Sequence, residues 1–135
     1  MPPVESPSEF NMLKVVVIEE DSAMRALIGE WFAEEGYEVR ALSTVDASRG
    51  GAELSAEVVI VDLVNLRSQG VQAIGAVQLR FPGAKVIGMS TQVGRSLASN
   101  SETLRRLGLV RLLAKPCERE ELLEAVAEAR AAVRN

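Results

Sequence analysis

Four apolar runs of this chain lead into residues that can do chemistry. Val15–Ile18 is followed by Glu19, Glu20 and Asp21; Val58–Val61 by Asp62; Val86–Met89 by Ser90 and Thr91; Val110–Ala114 by Lys115. Converging carboxylates repel one another and raise one another's pKa unless a cation neutralises them. Mg²⁺ suits that task, because it takes carboxylate, carbonyl and water oxygens in an octahedron. A carboxylate beside such an ion can attack a phosphoryl group and form an acyl phosphate. The metal, a lysine ammonium and a hydroxyl then neutralise the oxygens of the group in transfer.

Other chemistries are closed to these residues. The chain has no histidine and one cysteine, Cys117, which rules out an internal disulfide and a zinc site of the Cys/His kind. Any metal must be a hard cation on oxygen ligands. The formal net charge of −4 argues against nucleic-acid binding, which needs a basic surface for the phosphates. No apolar run has the length of a membrane span, and no signal core opens the chain; a cytoplasmic protein is expected. The first apolar run leads into Glu-Glu-Asp where a nucleotide or flavin enzyme would place a Gly-rich or hydroxyl-rich phosphate loop.

The elements that must position these residues follow from patterning. At 135 residues, 47% hydrophobic and 25% charged, the chain fits one domain with a real core. Aromatics are only 4%, so Val, Leu, Ile and Ala must build it. Residues 1–12, rich in Pro and Ser, read as a poorly ordered extension ahead of a domain spanning 13–135. The four runs, with a weaker one at Tyr37–Leu42, read as buried strands. Met24, Leu27, Ile28, Trp31 and Phe32 trace a helical stripe, capped by Asp21 or Ser22 and closed by Gly36. Val71, Ile74, Val77 and Gln78 begin a third helix that stops before Pro82, and Leu122, Leu123, Val126 and Ala129 mark the last. The second helix, Asp46–Leu54, is weakened by Gly50 and Gly51, and Ser96–Leu107 is helical only in its second half.

Five βα units in this order predict a doubly wound α/β fold, a parallel sheet with helices on both faces and right-handed crossovers. Ligand sites in such sheets lie beyond the carboxyl ends of the strands. That edge is where the chemically capable residues fall.

Between Lys14 and about Arg130 the chain resembles response-regulator receiver domains. KVVVIEEDSAMR is similar to their first strand and acidic loop, VVIVDLVNLRSQG to the third strand with its phosphate-accepting Asp, and KVIGMST and LLAKP to the fourth and fifth strands. The resemblance implies a flavodoxin-like (βα)5 fold with strand order 2-1-3-4-5. It makes Asp62 the phosphoacceptor, and Glu19, Glu20, Asp62 and the Val64 carbonyl the ligands of Mg²⁺. Ser90 would sense the phosphoryl group and Lys115 would pair with it, ahead of a cis bond to Pro116. The donor would be a histidine kinase or phosphotransfer protein. Mg²⁺-dependent self-phosphorylation and self-dephosphorylation at Asp62 would be the most enzymatic activity implied. With no output domain following, the signal would pass to a protein partner through the face of the fourth helix, fifth strand and fifth helix; a homodimer is a further expectation.

Several positions depart from the family pattern. Glu20 stands where Asp is usual, adding roughly 1.5 Å of contour in a site that tolerates little error in ligand distance. Leu112 replaces an aromatic residue whose ring takes part in switching. Thr91 replaces a smaller residue and narrows access to Asp62, and the loop signals after Asp62 reduce to Asn65, Leu66 and Gln69-Gly70. The segment between Ser90 and Lys115 is longer than usual. These departures set a second expectation beside the first, a phosphorylation-independent pseudo-receiver that acts by docking or dimerisation.

Overall fold

The computed structural model describes residues 14–49, 55–64, 66–93 and 102–134. The expected N-terminal extension, Gly50-Gly51, Asn65 and the stretch 94–101 lie outside these residues. Five parallel strands, β1 (Lys14–Ile18), β2 (Glu38–Leu42), β3 (Val58–Asp62), β4 (Lys85–Ser90) and β5 (Arg111–Ala114), form one sheet. Its order is β2-β1-β3-β4-β5, as the family resemblance implies. The helices are α1 (Ser22–Glu34), α2 (Thr44–Arg49), α3 (Leu66–Arg80), α4 (Glu102–Leu107) and α5 (Arg119–Arg134).

Side chains alternate across an extended strand, and here the alternation builds two cores. Val15, Val17, Val58, Ile60, Ile87, Met89 and Leu113 face α1 and α5, where they meet Ile28, Phe32, Leu122 and Val126. Val16, Ile18, Val59, Val61, Val86 and Leu112 face the other side, against Ala47, Ile74, Val77, Phe81 and Leu104. Strands buried on both faces must be continuous in Val and Ile, which is why these runs stand out in the sequence. Each fully buried aliphatic side chain contributes about 1.5–3 kcal/mol.

Asp21 is the N-cap of α1, accepting a hydrogen bond from the Met24 N–H at 3.0 Å. Gly36, at φ +91°, follows the helix end in a conformation that costs glycine little. Of the stripe read from the sequence, Ile28 and Phe32 are buried, Met24 and Trp31 are partly buried, and Leu27 is turned outward at 41% exposure. The third helix starts at Leu66, well before Val71, because Leu66 packs against the second core and extends its apolar contacts. The register pairs Ile18 with Leu42 and Val61, Asp62 with Met89, and Ser90 with Ala114. The strand ends are therefore level, and residues 19, 62, 90 and 115 share one edge. Among the described residues no helix is long and apolar enough to cross a membrane.

Candidate functional site

The centre of this edge is an ion cluster. The Lys115 Nζ lies 3.2 Å from Asp62 Oδ1 and 3.4 Å from Glu19 Oε1. Strand parity brings them together: the Glu19 N–H bonds the Leu42 carbonyl at 3.0 Å and so prolongs β1 by one residue. Glu19 then falls on the same face as Val15 and Val17, where Met89 and Leu113 flank Asp62 and Lys115. The Lys115 N–H is fixed in turn by the Ser90 carbonyl at 3.0 Å, and the Lys115–Pro116 bond is cis, as the resemblance implies.

Glu19 is only 1% exposed. Its Oε2 accepts from the Asp21 N–H at 3.1 Å. Burial pushes its carboxyl above the usual range; the Asp21 bond and the Lys115 charge pull it back, while neighbouring Asp62 adds to the rise. Burial alone would lower the Lys115 ammonium, yet Asp62 and Glu19 together raise it. The lysine thus stays charged and acts as internal counterion to the two carboxylates.

Glu20 does not join them. It falls on the opposite face, is exposed, and its Oε2 accepts from the Thr44 N–H at 2.6 Å. Hydrogen bonding at Thr44, with a smaller effect of Arg25, holds its carboxyl below the usual range. Ser90 is fully buried, and its Oγ accepts from the Gln92 N–H at 2.9 Å. Val64, 58% exposed, lines a cavity of ≈180 Å³ together with Asp62, Thr44, Gln69 and Gly70. A second, mostly apolar cavity of ≈170 Å³ runs from Asp62 and Thr44 beneath α2 and α3 toward Val77 and Phe81. On the far side of the cluster a small hollow is shared by Lys115, Pro116, Cys117, Met24, Ile28 and Trp31.

Three neighbours complete the surroundings. Leu112 is 1% exposed and packs over Gly88, where an added Cβ would come within 3.2 Å of Leu112 Cδ1 and 2.7 Å of Leu63 Cδ1. The leucine at this departure from the family pattern is therefore seated inward, in space that a side chain at residue 88 would fill. Arg25 donates from Nη1 to the Glu19 carbonyl at 2.7 Å and the Glu20 carbonyl at 3.4 Å, bracing the acidic loop. Sequence reasoning passed over it, although a cation in the first turn of a helix opposes the helix dipole and so signals another task. The Cys117 thiol is pushed up to about 12 by burial and by Glu121 and Glu118, which keeps it protonated and unreactive.

Among the described residues no group of three or more His, Cys, Asp or Glu could hold a metal. Mg²⁺, however, is commonly held by one or two carboxylates with water completing its shell. Glu19 and Asp62 supply that pair, two carboxylates drawn to one lysine at the strand edge. The donor set fits.

Comparison with known proteins places this geometry. The family model of the response regulator receiver domain matches residues 15–127. Among curated proteins no relative matches the sequence. Solved structures similar to the chain include a response regulator CheY-like protein from Mesorhizobium loti, 22% identical over 87% of this chain and 98% of that one, with a TM-score of 0.66. The beryllofluoride-activated NtrC4 receiver domain dimer is 21% identical over 87% and 96% of the two chains, TM-score 0.68. A response regulator protein from Burkholderia pseudomallei, bearing a phosphorylated aspartic acid, a calcium ion and citrate, is 21% identical over 90% and 74%, TM-score 0.63. With the family match spanning nearly the whole ordered sheet and its helices, the chain belongs to the response regulator receiver domain family.

Proposed function

We propose that Asp62 is the phosphoacceptor of a two-component signalling receiver working in the cytoplasm. The observation that carries this reading is the Glu19–Lys115–Asp62 cluster: a partly accessible carboxylate at the end of β3, held by a lysine that stays charged. In the reaction, an Asp62 oxygen attacks the phosphorus of a phosphohistidine on a kinase or phosphotransfer protein. The new O–P bond forms as the P–N bond breaks, and the leaving imidazole nitrogen takes up a proton. Having no histidine, these residues receive the group and cannot present it as phosphohistidine. Lys115 would pair with the phosphoryl oxygens, and Ser90 would turn its hydroxyl from the Gln92 N–H toward them. Glu19, Asp62 and the Val64 carbonyl would hold Mg²⁺, which when bound supplies charge neutralisation for the incoming group. A protein partner, met through α4, β5 and α5 or through a second copy, would read the result. The phosphorylated aspartate of the Burkholderia pseudomallei protein supports the chemistry by likeness.

Adding Mg²⁺ and beryllofluoride should give a fluorine NMR signal of the bound adduct in the parent and none in Asp62→Asn. A parent protein that gives no adduct at millimolar ligand overturns the proposal. One pair of observations favours a second reading, a docking module that works without phosphate: Leu112 is sealed over Gly88 and Glu20 is engaged at Thr44. That reading expects partner binding to survive Asp62→Asn unchanged.

A further inference from the structure

Only one member of the acidic pair faces Asp62. The other turns to Thr44, and what it holds there is the beginning of a helix. The first N–H groups of a helix have no partner within it. In α2 the Asp46 N–H is taken by Ser43 Oγ at 3.1 Å, and the Thr44 N–H by Glu20 Oε2 at 2.6 Å. Six residues make too short a helix to be held by its own bonds, so these outside acceptors matter to where it sits. Arg25 clamps the carbonyls of Glu19 and Glu20 from the other side. Thr44 in turn lines, with Asp62, both cavities at this edge.

We propose that Glu20 is a positioning residue rather than a metal ligand: its carboxylate latches the loop after β1 to the start of α2 and so fixes Thr44 beside Asp62. To reach a cation at Asp62 the Glu20 side chain would have to turn away from Thr44, whose N–H its Oε2 holds. The cation of this receiver is then held by Glu19 and Asp62 without Glu20. This role deepens the phosphoacceptor reading and rests on it for its importance, while the latch itself is measured separately.

The test is the Thr44 amide signal in nitrogen-15 NMR, in the parent, Glu20→Gln and Glu20→Ala, each titrated with Mg²⁺. A short charge-assisted bond shifts that proton downfield and slows its exchange. Glutamine keeps an acceptor oxygen and should retain most of the protection; alanine should lose the downfield shift, with exchange faster by about fivefold or more. Saturating Mg²⁺ should leave the parent Thr44 signal in place, and Glu20→Gln should bind Mg²⁺ as the parent does. The latch is overturned if Mg²⁺ abolishes the Thr44 shift, if Glu20→Gln weakens Mg²⁺ by about tenfold or more, or if the amide is unprotected in the parent. Were none of the three proteins to bind Mg²⁺, the phosphoacceptor reading would fall, and the latch would still stand or fall on the Thr44 amide.

Discussion

Replacing Lys115 by Met isolates what the internal counterion does. The methionine keeps an apolar stem at the hollow that Pro116 and Trp31 also line but leaves Glu19 and Asp62 with no cation between them. Removing one partner of a buried ion group costs about 3–5 kcal/mol; with Lys115 19% and Asp62 10% exposed, solvent screening moves the loss to the lower end, about 3 kcal/mol. The dependence on pH has a definite sign. A carboxyl whose folded pKa is raised binds its proton more readily when folded, so stability falls as pH rises through the window between the unfolded and folded values. Glu19 already sits above its ordinary 4.5 in the parent, and loss of the ammonium raises it further. The deficit of Lys115→Met should be greatest at neutral pH and shrink on acidification as Glu19 takes a proton. Urea unfolding followed by circular dichroism, parent against variant at each pH, measures the difference and cancels groups that titrate alike in both. A loss below about 0.5 kcal/mol at neutral pH, the size of an ordinary surface change, would refute the counterion role. So would a deficit that grows on acidification.

Other outcomes follow from the packing. Gly88→Ala forces a Cβ within 2.7 Å of Leu63 Cδ1 and should cost about 1–3 kcal/mol in urea unfolding; Leu63→Ala should cost less in that background than in the parent, because it relieves the clash. Asp21→Ala removes the N-cap of α1 and should cost about 1 kcal/mol, read from the same transition. Cys117, with its thiol near 12, should resist alkylation at mildly alkaline pH in the folded protein and react at once in denaturant.

Much of this arrangement is legible in the order of residues. Val15–Ile18, Val58–Val61 and Val86–Met89 announce buried strands because both their faces are covered, and the polar residue after each run marks the working edge. Asp62 and Lys115 could be brought together from sequence because a doubly wound sheet levels its strand ends. Glu19 and Glu20 could have been parted by strand parity, since a one-residue step changes face, but the acceptor role of Glu20 depends on Thr44, distant in sequence. The seating of Leu112 likewise depends on Gly88 in a neighbouring strand, and a glycine in an apolar run gives no sign of which side chain will fill its space. Arg25 was hidden because its partners are backbone carbonyls, which leave no trace in side-chain patterning.

The hollow behind the cluster has a practical consequence. Trp31 is the chain's one tryptophan, and it shares that hollow with Lys115 and Pro116. The molecule therefore carries a built-in optical probe on the hidden side of its ion cluster. Indole emission follows nearby charge, so a redistribution of charge around the lysine should be seen as a change in colour or intensity of unlabelled protein, without a dye, a tag or a partner.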